Sequence, residues 1–215
     1  IQDNGKTKMF NLLKEYKDAE AKFVSGLLVR YLLSCLIDAD WTDAANHDED
    51  MPTKSTEPID WTPFVTRLEE HLSKLQTKAG AEPQKKAINS LRSEVSQSCL
   101  EASQKEQGFF RLNVPTGGGK TLASLRFALH HAVKHHLDRI IYVIPYTSIL
   151  DQNADSIREA LDLDEDDMHI LLEHHSNLTF EKKLSEEEEK KRDSEYQMLA
   201  ENWNSPIILT TMVQF

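Results

Sequence analysis

A lysine and a threonine directly after three glycines are the residues of this chain best suited to chemistry: Gly117-Gly118-Gly119-Lys120-Thr121, led in by Pro115-Thr116. Glycine takes backbone dihedrals closed to other residues, so three in succession let the main chain fold around an anion. The Lys120 ammonium would then reach the β- and γ-phosphates of a nucleotide, and the Thr121 hydroxyl would ligate Mg²⁺. Such a loop needs a strand before it and a helix after it, because the helix N-terminus offers unpaired N–H groups and the positive end of its dipole. Both flanks fit. Phe109-Phe110-Arg111-Leu112-Asn113-Val114 reads as a buried strand, and Leu122, Leu125, Phe127, Ala128 and Leu129 recur as on a helix. One position departs from the general pattern, since Val114 stands where a glycine is usual.

The elements around this loop alternate. Arg139 to Pro145 is a continuous apolar run and reads as a second strand, and a helix is expected over Ile149 to Leu161. Met168 to Glu173 reads as a third strand, Glu181 to Trp203 as a charged helix, and Pro206 to Thr211 as a fourth strand. Strands that are apolar throughout and separated by helices indicate a parallel sheet covered on both faces. Ligands of such sheets sit beyond the carboxyl ends of the strands. The polar residues to weigh there are Thr116 to Thr121, Thr147 with Ser148, and Thr210 with Thr211. Their hydroxyls suit the phosphate oxygens of a nucleotide or of a nucleic-acid backbone, or else simply cap helices.

Upstream, residues 9–45 read as helical, and two aspartates interrupt an apolar stretch at Asp38 and Asp40. Asp40 falls in register with Leu33 and Leu36, which would turn it inward beside the apolar set, where a buried carboxylate needs a metal ion or a hydrogen-bonding network; the other reading is a helix C-terminal region with two solvated carboxylates. The polar, proline-bearing stretch from Asn46 to Pro63 reads as a connection. A helix opens at Trp61-Thr62-Pro63-Phe64 and carries Val65, Leu68, Leu72 and Leu75. Lys78 to Pro83 breaks the pattern, which resumes over Ile88 to Leu100. A domain boundary is therefore expected near residues 80–85, giving a helical part over 1–80 and an α/β part over 81–215.

Bulk composition narrows the class. The 215 residues are 39% hydrophobic and 28% charged, as in ordinary globular domains, and hold two cysteines far apart, which makes no disulfide framework or zinc site. No run of 18 apolar residues and no signal peptide is present, so a cytoplasmic protein without membrane partners is expected. A net charge of −11 argues against a general nucleic-acid coat, though not against a local groove. The doublets His130-His131, His135-His136 and His174-His175 lack metal-ligand spacing and read as solvated or core-edge residues. The Glu/Lys run over 182–192 reads as an exposed helix with paired charges.

Asn113 to Ser124 resembles motif I of superfamily 2 helicases, and most resembles that of the CRISPR-associated helicase–nuclease of type I systems. Ile144 to Gln152 resembles motif Ia of that family, and Glu201 to Phe215 the segment before its later motifs. Ile88-Asn89-Ser90-Leu91-Arg92 resembles the stretch that replaces the adenine-sensing motif. Leu33 to Trp41 is similar to the last element of an HD nuclease domain.

The resemblance implies a helical HD-domain tail followed by a RecA-like parallel sheet with flanking helices. It implies an ATP-dependent translocase on single-stranded DNA fused to a metal-dependent nuclease, acting in antiviral defence. ATP and Mg²⁺ would be held by Pro115 to Thr121, with Asn89 and Arg92 at the adenine, and DNA by Thr147, Ser148, Thr210 and Thr211. Asp40 would ligate a divalent metal, Mn²⁺, Co²⁺, Ni²⁺ or Fe²⁺. The implied partners are the type I surveillance complex with its guide RNA, and phage inhibitor proteins. Residues 1–30 hold no histidine for an HD dyad, and neither motif II nor an arginine finger is found, so a fragment of a longer protein is expected. The other readings are a different superfamily 2 helicase or restriction motor, and a non-catalytic nucleotide-binding docking module.

Overall fold

The computed structural model describes residues 18–46, 58–77, 83–164, 166–175, 192, 193, 196, 197, 199–201 and 203–215. Its elements, in chain order, are α1 (Asp18–Asn46), α2 (Thr62–Thr77), α3 (Pro83–Ser103), α4 (Lys120–His135), β1 (Ile140–Ile144), α5 (Thr147–Leu161), a 3₁₀ turn (Asp167–His169), β2 (Leu171–His174) and β3 (Ile207–Thr211). The residues described between 192 and 201 are helical, Trp203 stands in a turn, and the rest of the charged helix expected over Glu181 to Trp203 lies outside the described residues. The chain forms two compact units, Ile1–Lys54 and Ser55–Phe215.

Among the described residues, the second unit holds a three-stranded sheet in the order β1-β3-β2, with both pairs parallel. The central strand explains why these strands are apolar without alternation. Side chains alternate between the faces of a strand, and here both faces are covered. Ile207 and Leu209 enter a core with Leu125, Leu129, Leu150, Ile157 and Leu161. Ile208, between them, enters a second core with Met168, Leu172 and Leu199. On β2 the same division separates Leu171 from Leu172. The sheet is therefore covered by helices on both sides, as in a RecA-like α/β region.

Helix α2 belongs to this second unit. Trp61, at its entry, is buried and donates its indole N–H to the Leu137 carbonyl at 2.6 Å, while Arg67 donates to the Leu161 carbonyl at 3.0 Å. Leu68 is fully buried in the first core. Glu69 forms a two-pronged pair with Arg126 of α4 at 2.6 and 2.7 Å and meets His130 at 2.9 Å. Burial would raise the Glu69 pKa, but the hydrogen bonds from Arg126 and His130 outweigh it and hold the carboxyl below its ordinary range.

Two local expectations are corrected. Residues 109–114 form no strand, and Phe109 and Leu112 are exposed. A strand needs a neighbour to satisfy its N–H and C=O groups, and the described sheet pairs only β1, β3 and β2. The segment is anchored by Phe110, whose ring packs on Phe127 and His131 of α4 with centroids 4.9 and 5.7 Å away. In the first unit, α1 forms over Asp18–Asn46, where a helix is expected over 9–45, of which residues 9–17 lie outside the described residues; Leu33, Leu36 and Asp40 are all exposed. None of the side chains described on α1 is buried, so Asp40 stands at the surface and not within an apolar face.

Candidate phosphate-binding site

The glycine loop adopts the backbone its sequence demands. Gly117 and Gly119 have φ of 81° and 79°, in the left-handed region where a side chain would strain the chain. Gly119 is the N-cap of α4, and no side chain caps that first turn. The leading N–H groups of the helix are thus left for an anion, with the helix dipole behind them. Lys120 is exposed at the first helical position, and Pro115, Thr116 and Gly117 are exposed beside it. Gly118 is buried, and its N–H closes a turn onto the Pro115 carbonyl at 3.1 Å.

Gly118 has an ordinary φ, so its requirement is one of space. A Cβ there would lie 2.3 Å from Val114 Cγ1 and 3.1 Å from the Pro115 carbonyl oxygen. The valine that replaces the usual glycine at 114 therefore fills the room a side chain at 118 would need.

Thr121 is half-buried and donates its hydroxyl hydrogen to Asn153 Oδ1 on α5 at 2.6 Å. A hydroxyl has one hydrogen and two lone pairs. With the hydrogen committed to Asn153, the lone pairs are left for a cation, which is what a Mg²⁺ ligand needs. Asn153 was missed in the sequence, because a lone asparagine on an amphipathic helix carries no signal of its own. Asn153→Leu is expected to raise the Mg²⁺ concentration giving half-maximal ATP hydrolysis by about tenfold or more, the usual effect of removing a group that orients a metal ligand. An unchanged Mg²⁺ titration of the full-length protein would show that the contact is only packing.

Of the two residues assigned to the adenine, Asn89 is half-buried on α3 and Arg92 is exposed one turn later. Arg92 turns to the loop itself, where its Nε–H donates to the Gly117 carbonyl at 3.0 Å.

The four residues assigned to DNA lie at one end of the sheet, where Ile144 pairs with Thr211 across β1 and β3. Thr147 and Ser148 open α5, half-buried and exposed, and are not its cap: extended Tyr146 holds that place without a side-chain bond. Thr211 is half-buried. Thr210 differs, since it is fully buried and donates its hydroxyl to the His174 carbonyl at 3.0 Å. Its hydrogen is committed within the sheet, and the side chain offers no exposed surface.

At the end of β2, Asp151 of α5, Glu173 and His175 bring ligand-type atoms within 4.8 Å of one another. Arg158 pairs with Glu173, and His175 Nε2 lies 3.3 Å from Asp151. Burial pushes the Glu173 carboxyl up, against the lowering pull of Arg158. Burial pushes His174 down, and its Nδ1 accepts the Trp203 indole N–H at 2.9 Å. A neighbouring guanidinium already balances this cluster, so it reads as a charge network under the strand ends. Asp40 lies in the other compact unit, and among the described residues it belongs to no group of three or more metal-type ligands.

Among the described residues no helix is long and apolar enough to cross a membrane. No curated protein matches the chain. Residues 78–215 match the family model of the type III restriction enzyme, res subunit, a match that starts just ahead of α3 and takes in the phosphate loop and all three strands. With well over half its length so matched, the chain belongs to the type III restriction enzyme res subunit family, whose domain is that of a superfamily 2 helicase-type ATPase.

Proposed function

We propose that this chain carries the phosphate-binding half of an ATP-driven motor that moves on single-stranded DNA. The observation that carries the reading is the loop of Gly117, Gly118 and Gly119, with two left-handed glycines, an uncapped helix N-terminus and exposed Lys120. The triphosphate is the substrate group this geometry suits. Backbone N–H groups of the α4 N-terminus would hold its oxygens, and the Lys120 ammonium would neutralise charge on the β- and γ-phosphates. Thr121, held by Asn153, would ligate Mg²⁺, which when bound screens the phosphate charge. The loop also excludes side chains from the phosphate path, because any Cβ at 117 or 119 would strain the backbone.

Thr147, Ser148 and Thr211, at the carboxyl end of the sheet, are proposed to contact the sugar–phosphate backbone of DNA. Such contacts position without reading sequence. Adding single-stranded DNA to the full-length protein should therefore stimulate ATP hydrolysis, with little dependence on base composition. Combined alanine replacement of Thr147, Ser148 and Thr211 should weaken that stimulation while leaving the basal rate. If the triple variant responds to DNA like the wild type, these hydroxyls serve only the fold.

The finer reading is a type I CRISPR helicase–nuclease, with residues 1–80 as an HD-domain tail and linker, of which α2 packs into the core of the second unit, and 81–215 as the start of the first RecA-like domain. It rests on the resemblance of motifs I and Ia and of Leu33 to Trp41. Exposed Asp40 does not by itself form a metal site. The family match is equally at home with a restriction motor.

A further inference from the structure

We propose that Arg92 is a positioning residue for the phosphate loop, acting from α3 on the Gly117 peptide and not on the nucleotide base. The proposal rests on the phosphate-binding reading of the loop and names the residue that sets its shape. Two contacts carry it. The Arg92 Nε–H donates to the Gly117 carbonyl at 3.0 Å. The stem of the same side chain lies along Gly119, with Cγ 3.3 Å and Cβ 3.6 Å from where a Cβ on that glycine would sit. One side chain thus touches both left-handed glycines of the loop.

The consequence follows from peptide geometry. In a trans peptide the C=O and N–H point in opposite directions. The peptide joining Gly117 to Gly118 has its carbonyl tied to Arg92 and its N–H tied to the Pro115 carbonyl at 3.1 Å. A flip of this peptide would break both bonds. Glycine pays more conformational entropy on ordering than any other residue, and a run of three would otherwise be the softest part of the site. Holding its first peptide from outside lowers what phosphate binding must spend on ordering it.

The test separates the donor from the charge and the phosphate from the base. In Arg92→Gln, Nε2 stands the same number of bonds from Cα as the arginine Nε, so the donor is kept and the charge lost. Arg92→Met keeps the stem and loses the donor. Binding of ATP, GTP and inorganic tripolyphosphate to the full-length protein is measured by calorimetry, beside melting temperature. A lost hydrogen bond of this kind should weaken all three ligands in Arg92→Met by about three- to tenfold. The ATP-to-GTP ratio and the melting temperature should hold, and Arg92→Gln should restore affinity. Loss of ATP preference, or equal damage from Gln and Met, would overturn the proposal in favour of a base or charge contact. Unchanged binding in Arg92→Met, with binding lost in Lys120→Ala, would overturn this inference alone. A wild-type protein that binds neither ATP nor tripolyphosphate would overturn the phosphate-loop reading with it.

Discussion

Lys120→Ala in the full-length protein is expected to lower the ATPase rate by roughly 100- to 1,000-fold, the scale seen when one preorganised donor to developing charge is removed. The fold should survive. Lys120 is exposed, in the first turn of α4, and its replacement empties no core. Substitutions at such positions usually change stability by less than about 0.5 kcal/mol, so the melting temperature should stay within a few degrees. DNA binding should persist, because Thr147, Ser148 and Thr211 stand at other element ends. The decisive comparison is ATP turnover against single-stranded DNA affinity in one preparation. A folded Lys120→Ala protein with wild-type turnover would remove the phosphate-binding role. Lost turnover together with a collapsed melting temperature would point to a folding role for the lysine instead.

How much of this was legible in the sequence differs by element. Strands β1 and β3 were readable because an apolar run flanked by breakers can be buried on both faces, as Ile207, Ile208 and Leu209 are. Helices α2 and α5 were readable because their apolar residues repeat at the helical period, and Leu68, Leu150, Ile157 and Leu161 are fully buried. The segment 109–114 misled because strand propensity is a property of the segment, whereas a strand is a property of a pair. Phe110 satisfies the same hydrophobic demand by packing on Phe127. Asp40 misled for a related reason: periodicity fixes which residues share a helix face, and it does not say whether another element covers that face.

Within the site, local signals were legible and long-range ones were not. Three glycines before Lys-Thr announce a phosphate loop, and glycine permits the left-handed φ found at Gly117 and Gly119. The bonds Arg92 to Gly117 and Thr121 to Asn153 join residues 25 and 32 positions apart. No local pattern encodes them. Thr210 and Thr211 looked equivalent in the sequence, yet Thr210 lies within a strand covered on both faces and donates to the His174 carbonyl, whereas Thr211 ends the strand and is half-exposed.

Gly118→Ala is expected to disable nucleotide binding through Val114, and a second substitution should rescue it. The new Cβ would lie 2.3 Å from Val114 Cγ1, well inside contact distance. Valine is branched at Cβ and stiff about χ1, so it cannot swing clear as a longer side chain would. Overpacking of this sort costs about 1–3 kcal/mol, and in a loop the strain is relieved by moving the loop. Trimming the valine to alanine removes Cγ1 and leaves the 3.1 Å approach to the Pro115 carbonyl, which a shift of a few tenths of an ångström relieves. Val114→Ala/Gly118→Ala should therefore regain most of the tripolyphosphate affinity that Gly118→Ala loses, with a favourable coupling of about 1 kcal/mol or more between the sites. Gly117→Ala and Gly119→Ala provide the contrast. Their fault is a φ near 80°, which costs roughly 1–2 kcal/mol for a residue with a Cβ wherever Val114 stands. Val114→Ala should rescue neither. A double mutant at 114 and 118 as weak as Gly118→Ala would show that the buried glycine is required for the path of the backbone, and that Val114 is not what demands it.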